Sequence, residues 1–90
     1  MRIEFDPEKD RANRDKHGVP LAAAAAIFMG DHAVRDDRRF RYGERREIAY
    51  GLIAGRLHVC VFTRRGERLR VISLRRANGR ERRAYAAIVG

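Results

Sequence analysis

The sequence predicts an α+β fold: an N-terminal strand and two helices, an antiparallel β-meander, then a C-terminal helix. Three observations carry that prediction. Apolar residues recur at helical spacing as far as Phe28 and then alternate with period two from Ala33 onward. The alternating runs are separated by turns too short for anything but antiparallel neighbours. Finally, Asn78 and Glu81 have the spacing of a helix-opening capping box. At 90 residues, the span 1–90 is expected to form one domain.

Taken in order, Arg2-Ile3-Glu4-Phe5 alternates polar and apolar as a half-buried strand does. Asp6-Pro7-Glu8 opens the first helix with an N-cap side chain, a proline where no amide donor is needed, and an acidic first turn. That helix reaches Lys16-His17 and stops at Gly18. It is poorly hydrophobic, and Lys9, Asn13, Lys16 and His17 form one polar stripe along it. Pro20 opens a second helix, with Leu21, Ala24, Ala25 and Phe28 as its core face and Gly30 as its end. Glu47 to Ile53, Arg56 to Thr63 and Arg68 to Leu74 read as strands joined by Ala54-Gly55 and Arg64-Arg65-Gly66-Glu67. Leu57, Val59 and Val61 alternate with His58, Cys60 and Phe62, so both faces of that strand are covered and it is central. The last helix starts at the capping box and places Glu81, Tyr85 and Ile88 on one side.

Charge is the strongest compositional signal. Lys plus Arg number 21 against 12 Asp plus Glu, a formal charge of +9, and only Lys9 and Lys16 are lysine. The excess is segregated. Residues 1–37 carry six basic and eight acidic side chains, net −2, whereas residues 38–90 carry fifteen and four, net +11. Such a balance points to a polyanionic partner, either nucleic acid or an acidic protein. The arginine fork suits phosphate oxygens, although arginines on an ordinary solvated face give the same count. Nine arginines lie between Arg64 and Arg83, punctuated only by Glu67 and Glu81. Arg75 and Arg76 leave a strand end and Arg80 falls in the first turn of the next helix, a combination that favours a phosphate.

Several classes are excluded or unsupported. The single cysteine, Cys60, rules out an internal disulfide and a multi-thiolate zinc site. His17, His32 and His58 lack metal-ligand spacing, so neither a metal nor another cofactor is expected. No apolar run approaches the ~18 residues of a membrane span, and no secretory pattern is present, so a cytoplasmic location is expected.

Metal-free RNA cleavage requires a base for the 2′-hydroxyl, an acid for the leaving oxygen and cations for the phosphorane. His17, read as the exposed histidine, sits at a helix C-terminus that favours imidazolium, which suits an acid or a phosphate ligand better than a base. Glu81 is a candidate base whose capping role competes with that task. His58 reads as a satisfied core histidine, and His32 as a turn residue without a partner.

Two blocks resemble a known family. Phe5-Asp6-x-x-Lys9-x-x-x-Asn13-x-x-Lys16-His17-Gly18-Val19, with a following helix through Ala24 to Phe28, is similar to the N-terminal signature of BrnT toxins. Arg70-Val71-Ile72-Ser73-Leu74-Arg75-Arg76-Ala77, then Arg80-Glu81-Arg82 and Tyr85, resembles the C-terminal signature of the same family. Between them, Glu44-x-Arg46, Gly51, Gly55-Arg56 and Phe62-Thr63-x-Arg65-Gly66 fit its middle strands. The chain departs from the family pattern at Leu21, Leu74, Asn78 and Gly79.

The resemblance implies a RelE-like fold and a toxin of a type II toxin–antitoxin module. Such a toxin is an endoribonuclease that cuts RNA by metal-independent 2′-hydroxyl attack and arrests translation. The implied partners are RNA and a cognate antitoxin with a ribbon-helix-helix domain, with operator DNA bound only through the complex. On this view Arg75 and Arg80 clamp the scissile phosphate. His17, Glu81 and Tyr85 are proton-transfer or positioning candidates, and Arg64, Arg65 and Arg76 guide the strand. Lys9 and Lys16 extend the RNA site, or else their stripe, with Asn13, anchors the first helix to the sheet. The alternative function is a non-catalytic basic module that binds nucleic acid or docks an antitoxin.

Overall fold

The computed structural model describes residues 2–39 and 43–89. Its elements are β1 (Arg2–Glu4), α1 (Pro7–His17), a 3₁₀ turn (Leu21–Ala24), α2 (Ala25–Met29), β2 (His32–Asp36), β3 (Glu47–Ile53), β4 (Arg56–Arg65), β5 (Arg68–Arg76) and α3 (Gly79–Val89). The fold is α+β, built on one five-stranded sheet in the order β1-β5-β4-β3-β2. The sheet is mixed. β2 to β5 form an antiparallel meander, whereas β1 runs parallel to β5, with Arg2, Ile3 and Glu4 opposite Arg68, Leu69 and Arg70. Among the described residues no helix is long and apolar enough to cross a membrane.

Local chemistry accounts for the helix ends. The Asp6 side chain accepts from the Glu8 amide at 2.9 Å, and Gly18 closes α1 in the left-handed conformation at φ 71°. The segment after Pro20 is not one α-helix as expected. It begins as a 3₁₀ turn and becomes α-helical at Ala25. The Asp10 carboxylate supplies the missing cap from a different helix, accepting from the Leu21 amide at 2.8 Å.

The sheet buries both faces around β4. On one face Leu21, Ala24 and Ile27 pack against Ala49, Cys60, Phe62, Leu69, Val71 and Leu74, with Phe28 edge-on to Phe62 at 5.0 Å. On the other face Ile48, Leu57, Val59, Val61 and Ala77 form a smaller cluster, joined by Tyr50, Ile72 and Tyr85. Cys60 lies in the larger cluster, where burial pushes its thiol up to about 12 and leaves it unreactive.

β5 carries a bulge. Val61 is opposite Ser73 and Phe62 is opposite Val71, so Ile72 is an extra residue between them. Leu69, Val71 and Leu74 therefore share the larger core, while Ile72 packs against the smaller one.

Beyond Arg70, β1 no longer covers β5, and a side chain takes over as strand partner. The Asn13 amide donates to the Leu74 carbonyl at 2.8 Å, accepts from the Leu74 amide at 3.1 Å, and donates to the Val19 carbonyl at 2.8 Å. It thus imitates a peptide group and satisfies both backbone valences of Leu74. Of the two readings of the α1 stripe, the structural one holds for Asn13, which is buried.

Asn13→Ala leaves these buried groups unpaired and is expected to lower unfolding free energy by about 3 kcal/mol, with an unchanged urea m-value. A second expectation concerns Gly51, where a Cβ would lie 2.8 Å from Ile27 Cγ2. Gly51→Ala should cost about 1–3 kcal/mol in the same denaturation assay.

Candidate functional site

The C-terminal turn of α1, the edge strand β2 with its neighbour β3, and the bulged end of β5 converge on one cleft of about 270 Å³. α1 contributes Lys16 and His17; β5 contributes Ser73 and Arg75. Arg35 comes from β2, Tyr50 from β3, and Arg39 from the segment after β2. The apolar floor is Ile48, Val59 and Val61, and α3 closes one side with Glu81. Lys16, Arg35, Arg39 and Arg75 thus bring four cations to the cleft, of which Arg75 is paired with Glu81 and Arg39 with Asp37, a surplus of positive charge that attracts anions.

Glu81 is held from two directions. Both Arg75 Nη atoms donate to it at 2.8 Å, and its Oε1 also accepts from the Asn78 amide at 2.9 Å. The Asn78 side chain returns a bond to the Glu81 amide at 2.8 Å, which completes the capping box. The Arg75 fork is the main influence that holds the Glu81 carboxyl below the usual carboxylate range, against the effect of burial. This carboxylate is therefore a poor proton acceptor near neutral pH. It also means that the α3 N-terminus is already capped by its own side chains. The anion-attracting surface is consequently the neighbouring cleft.

His17 departs from expectation. It is half-buried rather than exposed, and its imidazole is held below the ordinary 6.5, first by burial and then by the Lys16 and Arg75 charges. Burial and two neighbouring cations disfavour imidazolium, which suits the ring to accept a proton. His32 is also corrected. It belongs to β2, where its Nδ1 lies 2.9 Å from the Gly30 carbonyl and its ring meets Phe28 edge-on at 5.4 Å. His58 is buried with its Nδ1 2.8 Å from the Arg56 carbonyl, as a core histidine should be.

The other candidates divide. Arg80 and Tyr85 do not enter the cleft; they line an adjoining groove that shares Arg35, Tyr50 and Glu81 with it. Arg75 and Arg80 thus do not face one cavity as a pair. Arg64 lies over Phe62 at 5.5 Å, on the opposite face of the sheet, and is paired with Glu47 at 2.6 Å. Arg65 reaches Glu44 at 3.4 Å, and Arg76 lies beside Arg56 and Arg82 near the β3–β4 turn. Lys9 is exposed on α1 and does not line the cleft.

Four cleft residues escaped sequence reasoning: Arg35, Arg39, Tyr50 and Ser73. Arg35 and Tyr50 act together, since Arg35 Nε donates to Tyr50 Oη at 2.9 Å and its guanidinium lies 5.7 Å from that ring's centroid. The period-two run from Ala33 was the available signal for Arg35, but only the β2–β3 register, with Ala33 opposite Tyr50, brings the two together. Among the described residues no three His, Cys, Asp or Glu side chains gather closely enough to hold a metal ion.

In an NMR titration the His17 imidazole is expected to show a midpoint below 6.5, and Arg75→Gln should raise it. That substitution removes a nearby cation and releases the Glu81 carboxylate, and both changes favour imidazolium. A midpoint that stays fixed in the variant would contradict the electrostatic coupling.

Comparison with curated proteins finds no match. A family model does match, described as "Ribonuclease toxin, BrnT, of type II toxin-antitoxin system", over residues 5–81. That stretch contains every cleft residue from Lys16 to Glu81, while Ala84, Tyr85 and Ile88 of α3 lie beyond it. The chain belongs to the BrnT family of ribonuclease toxins of type II toxin–antitoxin systems.

Proposed function

We propose that this chain is a RelE-like endoribonuclease whose active site is the cleft between α1, the sheet and α3. The observation that carries the reading is the neutral, half-buried His17 facing Arg75 in a cleft that holds four permanent cations. His17 takes the proton from a ribose 2′-hydroxyl, and the freed oxygen attacks the adjacent phosphorus. The P–O5′ bond breaks, giving a 2′,3′-cyclic phosphate and a 5′-hydroxyl end. Arg75, Lys16 and Arg39 offset the charge that develops on the phosphorane. Tyr50 accepts from Arg35 through its hydroxyl oxygen and so keeps its own hydrogen to donate to the leaving oxygen. Glu81 orients Arg75 and takes no proton.

The chemistry requires no metal. Cleavage of cellular RNA in the cytoplasm arrests translation, and a cognate antitoxin ends the arrest. That antitoxin carries a ribbon-helix-helix domain, binds operator DNA as part of the complex, and places acidic side chains against the basic cleft. Arg64, Arg65, Arg76 and Lys9, being outside the cleft, contact phosphates further along the strand.

Purified protein in EDTA is expected to cut single-stranded RNA and leave cyclic phosphate ends. His17→Ala should slow the cut by about 10²- to 10⁴-fold. The rate of the unmodified protein should fall as pH drops through the depressed His17 pKa, below 6.5, because the base is then protonated. RNA left whole by the unmodified protein in EDTA would refute the metal-independent mechanism. An undiminished rate in His17→Ala would remove His17 from it.

A further inference from the structure

Next to the cleft is a larger groove of about 510 Å³, within the range of small-ligand sites, about 300–1,000 Å³. Its walls are mostly apolar. Tyr50 and Ala33 form the side toward the sheet, and Ala84, Tyr85 and Ile88 form the side toward α3. Ile88 is 72% exposed and adds its apolar surface to that of Ala84 and Tyr85 along one groove. The groove is continuous with the cleft, because Arg35, Tyr50 and Glu81 line both. Arg35 and Arg80 place guanidinium groups on its walls.

These features together describe a ligand with a flat apolar face attached to an anionic backbone. A wholly apolar segment would use the tyrosines and leave the guanidiniums unmatched. A nucleotide uses both, since its base stacks on aromatic faces while its flanking phosphates meet the cations. We propose that the groove seats one nucleobase of the RNA strand, stacked on Tyr50 and Tyr85 with Ile88 as its outer edge, and thereby selects the nucleotide beside the cut. This rests on the ribonuclease reading of the adjoining cleft. Tyr85 is then a stacking surface, and its hydroxyl is dispensable.

The test uses a single-stranded oligonucleotide that is 2′-O-methylated throughout, so that it cannot be cut, with 2-aminopurine placed at successive positions. Binding to the unmodified protein is expected to quench the fluorescence strongly at one position. Ile88→Glu, at an exposed site, should abolish that quench and weaken binding about 5- to 100-fold. Tyr85→Ala should act likewise, whereas Tyr85→Phe should behave as the unmodified protein. Mapping of cut ends on cleavable RNA should show the nucleotide preference flattened in Ile88→Glu.

The quench does not depend on cleavage, so the two readings fail separately. A protein that quenches at one position but cuts no RNA keeps the groove and defeats the ribonuclease mechanism. A protein that cuts RNA with the same quench and the same site preference in Ile88→Glu keeps the mechanism and overturns the groove. If Ile88→Glu instead disrupts self-association or antitoxin binding and leaves the quench intact, the groove docks protein and the nucleobase proposal is wrong.

Discussion

The bonds from the Asn13 amide to Leu74 and Val19 fix the geometry on which the cleft depends. α1 has almost no apolar face with which to hold itself to the sheet, and its mean composition is strongly polar. The buried Asn13 amide does that work by completing the open edge of β5, helped by the Asp10 carboxylate on the Leu21 amide. The consequence is positional. His17 lies one helical turn beyond Asn13, and Arg75 is the residue after Leu74, so the two partners of one clasp are each followed directly by a cleft side chain. An imidazole and a guanidinium from opposite ends of the chain thereby line one cleft.

The same economy is seen in the arginines. Many of them pair with a carboxylate across the sheet or along a helix: Arg14 with Asp10, Arg45 with Asp36, Arg64 with Glu47, Arg70 with Glu4. Exposed pairs of this kind contribute little to stability, about 0–1 kcal/mol each. Their effect here is to offset positive charge locally across the surface. Two of the cleft cations are paired in the same way, Arg75 with Glu81 and Arg39 with Asp37. The cleft draws its cations from both halves of the chain, Lys16 and Arg35 from the first and Arg39 and Arg75 from the second.

Much of the scaffold was legible because it is written in local signals. Asp6 and Gly18 bound α1 by their own chemistry, β3 has the bounds that its alternation implied, and the Asn78–Glu81 capping box forms with both of its bonds. His17, Lys16, Arg75 and Glu81 could be named because they lie in distinctive local patterns. What could not be read was set by pairing at long range. Nothing near Arg2 says that β1 will run parallel to β5, and nothing near Arg35 says that it will lie across Tyr50. The protonation preference of His17 was misjudged for a related reason. The helix dipole is visible in sequence, whereas the burial and the Arg75 charge that lower the His17 pKa come from elsewhere in the chain.

The bulge in β5 acts as a shift of reading frame in three dimensions. Before it, odd-numbered residues such as Leu69 and Val71 face the larger core; after it, even-numbered Leu74 does. Read without the shift, the same string of amino acids would turn Arg76 toward the cleft and bury Arg75 against the helices. The choice between two adjacent, chemically identical arginines is therefore made by the phase of the backbone, and by no property of arginine itself. Counting charges along this chain could narrow the field to a neighbourhood, but only the phase picks the residue.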